Sequence, residues 1–571
     1  GIAQFLYRID ESTKVVYVSG LKMQSIGRLS LHPYQCYRFG VAALLIVGFQ
    51  FHLVVVGVHA NVAYPGIWTA LQPNGATTGT EQMLVGNAEY HFPVVETALS
   101  YYPTLRDDHG WICYATRSTD GRYLATNIPV TRSTNPDKHP ILRQAIHENS
   151  HVIHAKCMER DFCKWRQLQR MQKNSTVLAS KGSILNLVLP FQFADHTDRA
   201  VIPTSDLDAY LFNGPKLSVK HYFDQQSYGQ LQIESELTPW VQIPYTEKEC
   251  AGNVSGLSLL MHTCLDAVLE KASKLLKNWN TILETATTIT FVHSGYAAEF
   301  GGNDVDGQWY EDRIWSHAWE IHSPIYTGRY ALISDKYDRT NKQMNRVGVA
   351  VHELAQALGA MPMYGEYPGY GLGYFDVLAN PWGFDGTLIH CGSMSPYTKN
   401  LFGWLEVVEI DSDGKYELMQ SFESNKVYMI RKGFPEGEYL LIENRQEEGY
   451  DRGLNQAGLA IYHVDLKANN AASNPQRKDF PGDHYMVALV QADGRFDLER
   501  MEDGGDSGDL FHGGRFPGVG PDGTINRDGT LSPHGQPNTN SYQGGREIRT
   551  GVSILDISAA SRVMTFRVTF S

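Results

Sequence analysis

The stretch that decides the fold reads VGVAVHELAQALG and spans residues 347–359. An apolar run leads into His352 and Glu353 and closes with Gly359, which predicts a buried helix with a polar pair on one face. Because positions i and i+4 of a helix lie on the same side, two histidines there can hold one zinc ion. The glutamate after the first histidine can then polarise an attacking water. The i+4 residue here is Gln356, so the sequence presents most of a metallopeptidase site with an incomplete ligand set.

The composition is that of a folded protein with ample core. The chain has 571 residues, of which 42% are hydrophobic and 11% aromatic, and this length suggests about three or four domains. Lysine and arginine number 49 and aspartate and glutamate 62, so the formal net charge is −13. An acidic surface argues against nucleic acid or an anionic membrane as the main partner.

The N-terminal part of the chain carries the features of an export signal. We expect residues 1–22 to lie outside the native product, because the first methionine is Met23. The almost uninterrupted apolar run at residues 39–58 ends in Val58-His59-Ala60, the small-x-small pattern of a signal-peptide cleavage site. A secreted protein that starts at Asn61 is therefore predicted. About twenty apolar residues can also span a bilayer, so a retained membrane anchor is the alternative.

The cysteine pattern fits an exported chain. Removal of the signal peptide takes away Cys36 and leaves six cysteines, an even number that suggests disulfides. Closeness in sequence favours two local bridges, which join Cys157 to Cys163 and Cys250 to Cys264. The remaining two cysteines are interpreted equally well as buried free thiols: Cys113 and Cys391.

Two regions precede the domain of the site helix. From residue 61 to about 132, short alternating runs such as residues 111–115 predict a β-rich module. Residues 131–173 predict a basic helical linker or pro-segment. Within that segment, HENSH at residues 147–151 has the spacing of a zinc motif, but no buried apolar run precedes it, and Asn and Ser compete for backbone hydrogen bonds inside helices. We interpret it as a chance match on a solvated helix face.

From residue 183 the pattern changes to that of an α/β domain. Buried strands are predicted at residues 184–190 and 287–293, and helical apolar spacing predicts a helix at 262–277. After Trp404 the apolar period changes to two, which predicts a separate, sandwich-like β domain. Its predicted strands span residues 439–443, 458–464, 486–490 and 564–570.

Six blocks of sequence occur in an informative order. They are HYFDQQSYGQL at 221–231, HSGYAAE at 293–299, DRIWSHAW at 312–319, the site helix, ANPWGFDG at 379–386, and MSPY at 394–397 followed by LFGW at 401–404. In this order they resemble the immune-inhibitor-A-like secreted metallopeptidases. The resemblance continues through LIENRQ at 441–446 and QADG at 491–494, and it extends more weakly over residues 61–170.

That resemblance implies an α+β protein with a zincin-like peptidase domain at residues 181–404. It also implies an N-terminal pro-region, made of the β-rich module and basic segment at residues 61–180, and a C-terminal β-sandwich-like domain at 405–571. The activity of the family is zinc-dependent hydrolysis of peptide bonds in proteins. Its metal pattern is His-Glu-x-x-His followed by Gly-x-x-Asp, with a methionine turn beneath the metal.

Matching residue by residue gives an incomplete site. His352 matches the first metal ligand and Glu353 the catalytic glutamate, whereas the second histidine falls on Gln356. The aspartate ligand falls on Pro362 and the methionine on Leu378. Gln356 offers only a weak neutral ligand, its carbonyl oxygen, and Pro362 offers no side-chain ligand. One histidine does not make a zinc site.

Three downstream residues could complete the ligand set: Glu366, Asp376 and His390. Each also has a structural interpretation. Glu366 fits a solvated loop carboxylate, Asp376 a turn cap, and His390 a satisfied histidine beside Cys391.

Two functional classes follow. The first is a secreted zinc endopeptidase in which Glu353 is the general base and a cleft binds an extended peptide by strand addition. The second is a pseudoprotease that keeps the fold and a peptide-binding groove without catalysis. A third interpretation is an ordinary protease whose sequence is altered at a few codons. The partner in each case is a protein or peptide and not nucleic acid, and a membrane is involved only if the signal segment is retained.

Acidic, glycine-bent loops suggest calcium as a second cofactor, because a hard cation prefers oxygen ligands. The candidate ligands fall in two loops: Asp304 and Asp306 in the first, and Asp503, Asp506 and Asp509 in the second. Neither loop has EF-hand spacing, and solvated turns are the alternative interpretation.

Overall fold

The computed structural model divides the chain into two units, Gly1–Val56 and Gly57–Ser571. It describes residues 180–571 except 258, 341, 365–369, 469–484, 501, 514–529, 536 and 544–546, together with short segments between residues 6 and 142. In the first unit, strands β1 (Leu6–Asp10) and β2 (Val15–Ser19) pair antiparallel. Within the described residues, no helix is both long enough and apolar enough to cross a bilayer. The predicted signal peptide, with its apolar run at 39–58, lies outside those residues.

The N-terminal part of the second unit is an antiparallel meander, in which each strand pairs with the next along the chain. Its strands are β3 (Ile67–Trp68), β4 (Gln82–Gly86), β5 (His91–Glu96), β6 (Tyr101–Arg106), β7 (Ile112–Arg117) and β8 (Tyr123–Pro129). The strand predicted at residues 111–115 is confirmed as β7. The HENSH motif at 147–151 lies outside the described residues.

A mixed sheet forms the centre of the second unit. Its strands are β9 (Gly182–Gln192), β10 (Leu231–Leu237), β11 (Val241–Gln242), β12 (Ala286–Tyr296), β13 (His317–His322) and β14 (Thr327–Lys336). The order is β10-β9-β12-β14-β13, with β11 also paired to β9. All pairings are parallel except that of β13 with β14. The two strands predicted from near-continuous apolar runs are confirmed as β9 and β12. The structure adds that they pair with each other inside this sheet, where both faces are covered.

Helices cover the sheet. They are α1 (Thr204–Asp206), which continues into a π-helical turn (Leu207–Phe212), α2 (Val219–Gln226), α3 (Glu247–Ala251), α4 (Leu259–Leu275), α5 (Trp279–Thr285), α6 (Val347–Ala357) and α7 (Pro396–Leu401). The predicted helices at 262–277 and 347–359 are confirmed as α4 and α6. Every residue of α6 is buried. Gly359 follows α6 with a φ of +108°, a backbone conformation that suits glycine and ends the helix.

The C-terminal region forms two sheets, ordered β15-β17-β18-β19-β20 and β16-β22-β21. The elements are β15 (Glu406–Glu409), β16 (Gly414–Met419), β17 (Lys426–Ile430), β18 (Glu438–Arg445), β19 (Gly458–Asp465), β20 (Val487–Leu489), α8 (Asp497–Arg500), β21 (Val552–Leu555) and β22 (Val563–Phe570). The four predicted strands are confirmed as β18, β19, β20 and β22.

One C-terminal sheet contributes to two cores. Because successive strand residues point to opposite faces, neighbours along β18 lie in different clusters. Leu441 belongs to the apolar core that surrounds α6, whereas Leu440 and Ile442 belong to a second core shared with the strands β16, β21 and β22. The C-terminal sheet therefore helps to build the environment of the site helix.

Candidate functional site

His352, Glu353 and Gln356 lie together on α6, and their exposed fractions are 2%, 3% and 7%. The apolar residues around them on the helix form the core between the central sheet and the C-terminal sheet. Nδ1 of His352 lies 2.7 Å from the carbonyl oxygen of Val377. A carbonyl oxygen can only accept a hydrogen bond, so Nδ1 carries the proton and donates it. In a neutral ring with this tautomer, Nε2 is an acceptor.

The side-chain amide of Gln356 engages that acceptor. Nε2 of Gln356 lies 2.6 Å from Nε2 of His352. In the reverse orientation, the amide oxygen would face Nε2, which has a lone pair because the ring proton is on Nδ1. Two acceptor atoms in contact repel each other, so the amide nitrogen is assigned to this position. The amide N–H of Gln356 thus takes the position in which a metal ion would meet the imidazole.

Glu353 remains beside the imidazole. Its Oε1 lies 4.0 Å from Nε2 of His352. The ring of Tyr364 stacks on the imidazole of His352, with ring centroids 6.3 Å apart and an angle of 13° between the planes. The sequence pattern did not identify Tyr364 or the Val377 carbonyl as neighbours of His352, because both lie on the segment that returns after Gly359.

The residues at the matched ligand positions do not fit zinc. Pro362 has no side-chain donor atom, and Gln356 is turned so that its N–H, which cannot bind a cation, faces His352. The side chain at the methionine-turn position, Leu378, is fully buried and apolar. Zinc sites need three or four convergent ligands, and His352 is the one imidazole at the matched positions.

The substitute ligands have other contacts. Oδ1 of Asp376 accepts the N–H of Leu378 at 2.7 Å, and its Oδ2 accepts the N–H of Ser395 at 2.9 Å. Burial raises the pKa of Asp376, while these hydrogen bonds and the charge of Arg445 oppose the rise. Nδ1 of His390 lies 3.1 Å from Oδ2 of Asp385. Glu366 lies outside the described residues. These contacts agree with the structural interpretation of Asp376 and His390.

The first predicted calcium loop faces an arginine. Nε of Arg199 lies 3.0 Å from Oδ2 of Asp306, and its Nη1 lies 3.9 Å from Oδ2 of Asp304. Oδ1 of Asp304 accepts the N–H groups of Asp306 and Gln308 at 3.0 and 2.8 Å. A guanidinium therefore already supplies positive charge to both carboxylates.

The second acidic loop forms a denser cluster. Oxygen atoms of Asp493, Asp497 and Asp506 lie within 4.8 Å of one another, an arrangement that could hold a metal ion. Arg495 contacts this group, with Nε 3.1 Å from Oδ2 of Asp497. Sequence reasoning missed Asp493, which precedes the acidic run and lies in the QADG block.

The carboxyl groups of this loop are costly to ionise. Burial, with neighbouring carboxylates adding to it, raises the pKa of Asp493 to about 7 and that of Asp503 to about 6. The same causes raise the pKa of Asp509, which is fully buried. A cluster of this kind stores electrostatic repulsion at neutral pH.

A disulfide joins Cys250 of α3 to Cys264 of α4, which confirms that prediction. Cys113 and Cys391 are free and buried, as the alternative interpretation expected. The predicted pair Cys157 and Cys163 lies outside the described residues.

Comparison with known proteins supports a distant relationship to one of them. No family model matches the chain. Immune inhibitor A of Bacillus thuringiensis subsp. alesti is 24% identical over 286 residues, an alignment that covers 41% of this chain. The chain thus spans about two fifths of the length of this curated relative, 40%. This likeness relates the chain distantly to Immune inhibitor A.

Proposed function

We propose that this protein is a secreted pseudoprotease, related to the immune-inhibitor-A-like metallopeptidases, that binds extended protein segments without cleaving them. The contact between the Gln356 amide and Nε2 of His352 carries this proposal. The amide N–H of Gln356 donates a hydrogen bond to Nε2 of His352, the atom that would otherwise bind the catalytic metal. The remaining catalytic group, Glu353, has no metal-bound water to polarise in such a site.

Burial also supports the loss of catalysis. A general base must come within hydrogen-bond distance of the water or substrate atom from which it takes a proton. Glu353 is 3% exposed and lies inside a helix whose residues are all buried. A carboxylate buried in this way can contribute to the packing of the fold, but a peptide carbonyl cannot come close to it.

Strand addition, in which an extended segment pairs with the edge strand of a sheet, is the proposed mode of binding. An extended segment that pairs with such a strand gains main-chain hydrogen bonds whatever its sequence, and pockets for alternate side chains give selectivity. The ligand class is therefore an unfolded or extended polypeptide.

The test uses fluorescein-labelled, unfolded casein and the intact protein. We expect saturable binding by fluorescence anisotropy and no new fragments on a gel, with or without a chelator. The matched variant combines Gln356→His with Pro362→Asp and should bind casein equally. Chelator-sensitive cleavage by the wild-type protein would refute the pseudoprotease proposal. Absence of binding by both proteins would refute the binding role.

A further inference from the structure

A second buried polar pair lies on the opposite face of the central sheet from α6. Val292 of β12 belongs to the core around α6, so its neighbour His293 points to the other face. There, His196 ends a single 3₁₀ turn (Ala194–His196) after β9, and Glu247 is the first residue of α3. Nε2 of His196 lies 3.3 Å from Oε2 of Glu247, and both side chains are fully buried.

The outer atoms of this pair are already oriented. Nδ1 of His196 lies 3.1 Å from the carbonyl oxygen of Ser294 and 3.0 Å from its Oγ. A hydroxyl can donate or accept, but a carbonyl oxygen can only accept, so Nδ1 carries a proton and donates it. Oε1 of Glu247 accepts the N–H of Ile314 at 3.2 Å. The facing atoms, Nε2 of His196 and Oε2 of Glu247, are buried, and apart from each other neither has a hydrogen-bond partner among the described residues. A neutral imidazole and an ionised carboxylate would then place two lone pairs against each other in a fully buried site, which is unfavourable.

We infer that the His196–Glu247 pair holds one shared proton in the folded protein and thereby makes the attachment of α3 to the sheet sensitive to pH. The proton is carried either by Nε2 as an imidazolium or by Oε2 as a carboxylic acid. In both forms it lies between the two side chains and turns a repulsive contact into a hydrogen bond. Glu247 is the first residue of α3, and the disulfide at Cys250 links α3 to α4. The pair therefore helps to hold both helices against the sheet.

Titratable and charged groups of the neighbouring elements lie around this pair. The groups concerned are Asp195 beside His196, Arg199 in the following loop, His293 on β12, Glu299, Asp304 and Arg313 between β12 and β13, and Asp335 with Lys336 on β14. Burial raises the pKa of Glu247, and His196, Arg199 and Arg313 oppose the rise. Burial lowers the pKa of His293 to about 3, so His293 is neutral at physiological pH. These opposing influences decide whether Nε2 or Oε2 carries the proton. That there is one proton follows from the contact itself, because Nε2 and Oε2 face each other and need a single hydrogen between them.

The sign of the pH dependence follows from the unfolded chain. There, glutamate and histidine titrate near about 4.3 and about 6.5. Above about pH 6.5 the unfolded pair has lost the extra proton that the folded pair retains. Unfolding then releases a proton, so the unfolding equilibrium constant rises by up to about tenfold per pH unit. The stability contributed by the pair is therefore present below that pH and is lost as pH rises, until the folded pair itself ionises.

The experiment is urea unfolding of the intact protein from pH 6 to 9, compared with Glu247→Gln. A glutamine can accept the N–H of Ile314 through its oxygen and donate its amide to Nε2 of His196, the contact that Gln356 makes with His352. We expect this variant to fold. Its unfolding equilibrium constant should rise less steeply with pH than that of the wild type, by a factor of up to about ten per pH unit. Glu284→Gln, an exposed change on α5, should keep the wild-type dependence.

An unfolding equilibrium constant with the same pH dependence in the wild type and in Glu247→Gln would overturn the inference. Stoichiometric zinc in the wild type that is lost in this variant would also overturn it, because a metal would then occupy the place of the proton. If Glu247→Gln does not fold, His196→Gln replaces it and is expected to show the same loss of pH dependence. A neutron crystal structure of the wild-type protein at pH 8 would locate this proton directly, without any variant. Nuclear density between Nε2 and Oε2 is expected, and its absence would contradict the inference.

Discussion

The amide nitrogen of Gln356 lies 2.6 Å from Nε2 of His352, while Nδ1 of the same ring lies 2.7 Å from the Val377 carbonyl oxygen. This imidazole is therefore fixed in one tautomer by two protein groups. Histidines that bind metals use a similar arrangement, with one nitrogen donating to a carbonyl and the other facing the metal. Here the side-chain amide of a glutamine one turn along the helix faces that second nitrogen.

Loss of that amide should destabilise the fold. Gln356→Met keeps the length of the side chain and removes the donor, which leaves Nε2 of His352 without this hydrogen bond in a buried site. We expect the free energy of unfolding to fall by about 1–3 kcal/mol, measured by urea denaturation. The control is Gln232→Met on the exposed face of β10, which should change stability by less than about 0.5 kcal/mol. Equal effects of the two changes would show that the contact contributes nothing.

The acidic loop should make stability depend on pH. Asp493, with a pKa of about 7, binds its proton more tightly in the folded protein than in the unfolded chain, where aspartate titrates near about 3.9. Unfolding therefore releases protons in this range, and this contribution to stability falls as pH rises from about 4 to about 7. Asp493→Asn should raise the melting temperature at pH 8 relative to the wild type and not at pH 4.5. A variant that melts below the wild type at pH 8 would contradict this account.

A calcium site is tested at the same loop, where the cluster that could hold a metal ion includes Asp506 but not the other two predicted ligands, Asp503 and Asp509. If the carboxylates of Asp493, Asp497 and Asp506 hold a calcium ion, millimolar calcium should raise the melting temperature at pH 8, because a ligand that binds only the folded state stabilises it. The rise should be smaller at pH 5, where protons compete. The combined variant Asp493→Asn with Asp506→Asn should not respond. An unchanged melting temperature in the wild type would favour the interpretation as a solvated acidic turn.

The disulfide between Cys250 and Cys264 should be detectable without reference to activity. Its partners are 14 residues apart, and closing a loop of this size stabilises the folded state by about 3 kcal/mol. The double variant Cys250→Ala with Cys264→Ala should lose about that amount in urea unfolding. Alkylation of the denatured, unreduced protein should label Cys113 and Cys391 and spare Cys250 and Cys264. Labelling of all four would rule out the bridge.

Local sequence patterns were sufficient for the elements that the chain forms over short distances. The apolar run before His352 and the glycine at 359 predicted α6, because burial and the helix end are both encoded within thirteen residues. The strands β9 and β12 were predicted for the same reason, since strands buried on both faces consist of continuous apolar runs. The incomplete ligand set is also evident from the sequence alone, because it depends only on which residues occupy positions 356 and 362.

Contacts between distant segments could not be predicted in this way. Arg199 meets Asp304 and Asp306 across about a hundred residues, and only the folded sheet brings them together. The direction of the Gln356 amide depends on the tautomer of His352, which the Val377 carbonyl sets from the returning loop. The sharing of one core by α6 and Leu441 of β18 was likewise not evident, because an apolar strand residue does not reveal which partner covers it.

The most direct test of the central claim is the zinc content of the purified protein after dialysis against micromolar zinc. The account predicts far less than one zinc per chain for the wild type, because Gln356 donates to the ligand atom of His352 and Pro362 supplies no ligand. The combined variant Gln356→His with Pro362→Asp should approach one zinc per chain, since it restores two ligands of the pattern. One tightly bound zinc in the wild-type protein, lost on His352→Ala, would contradict the account and restore the metalloendopeptidase interpretation.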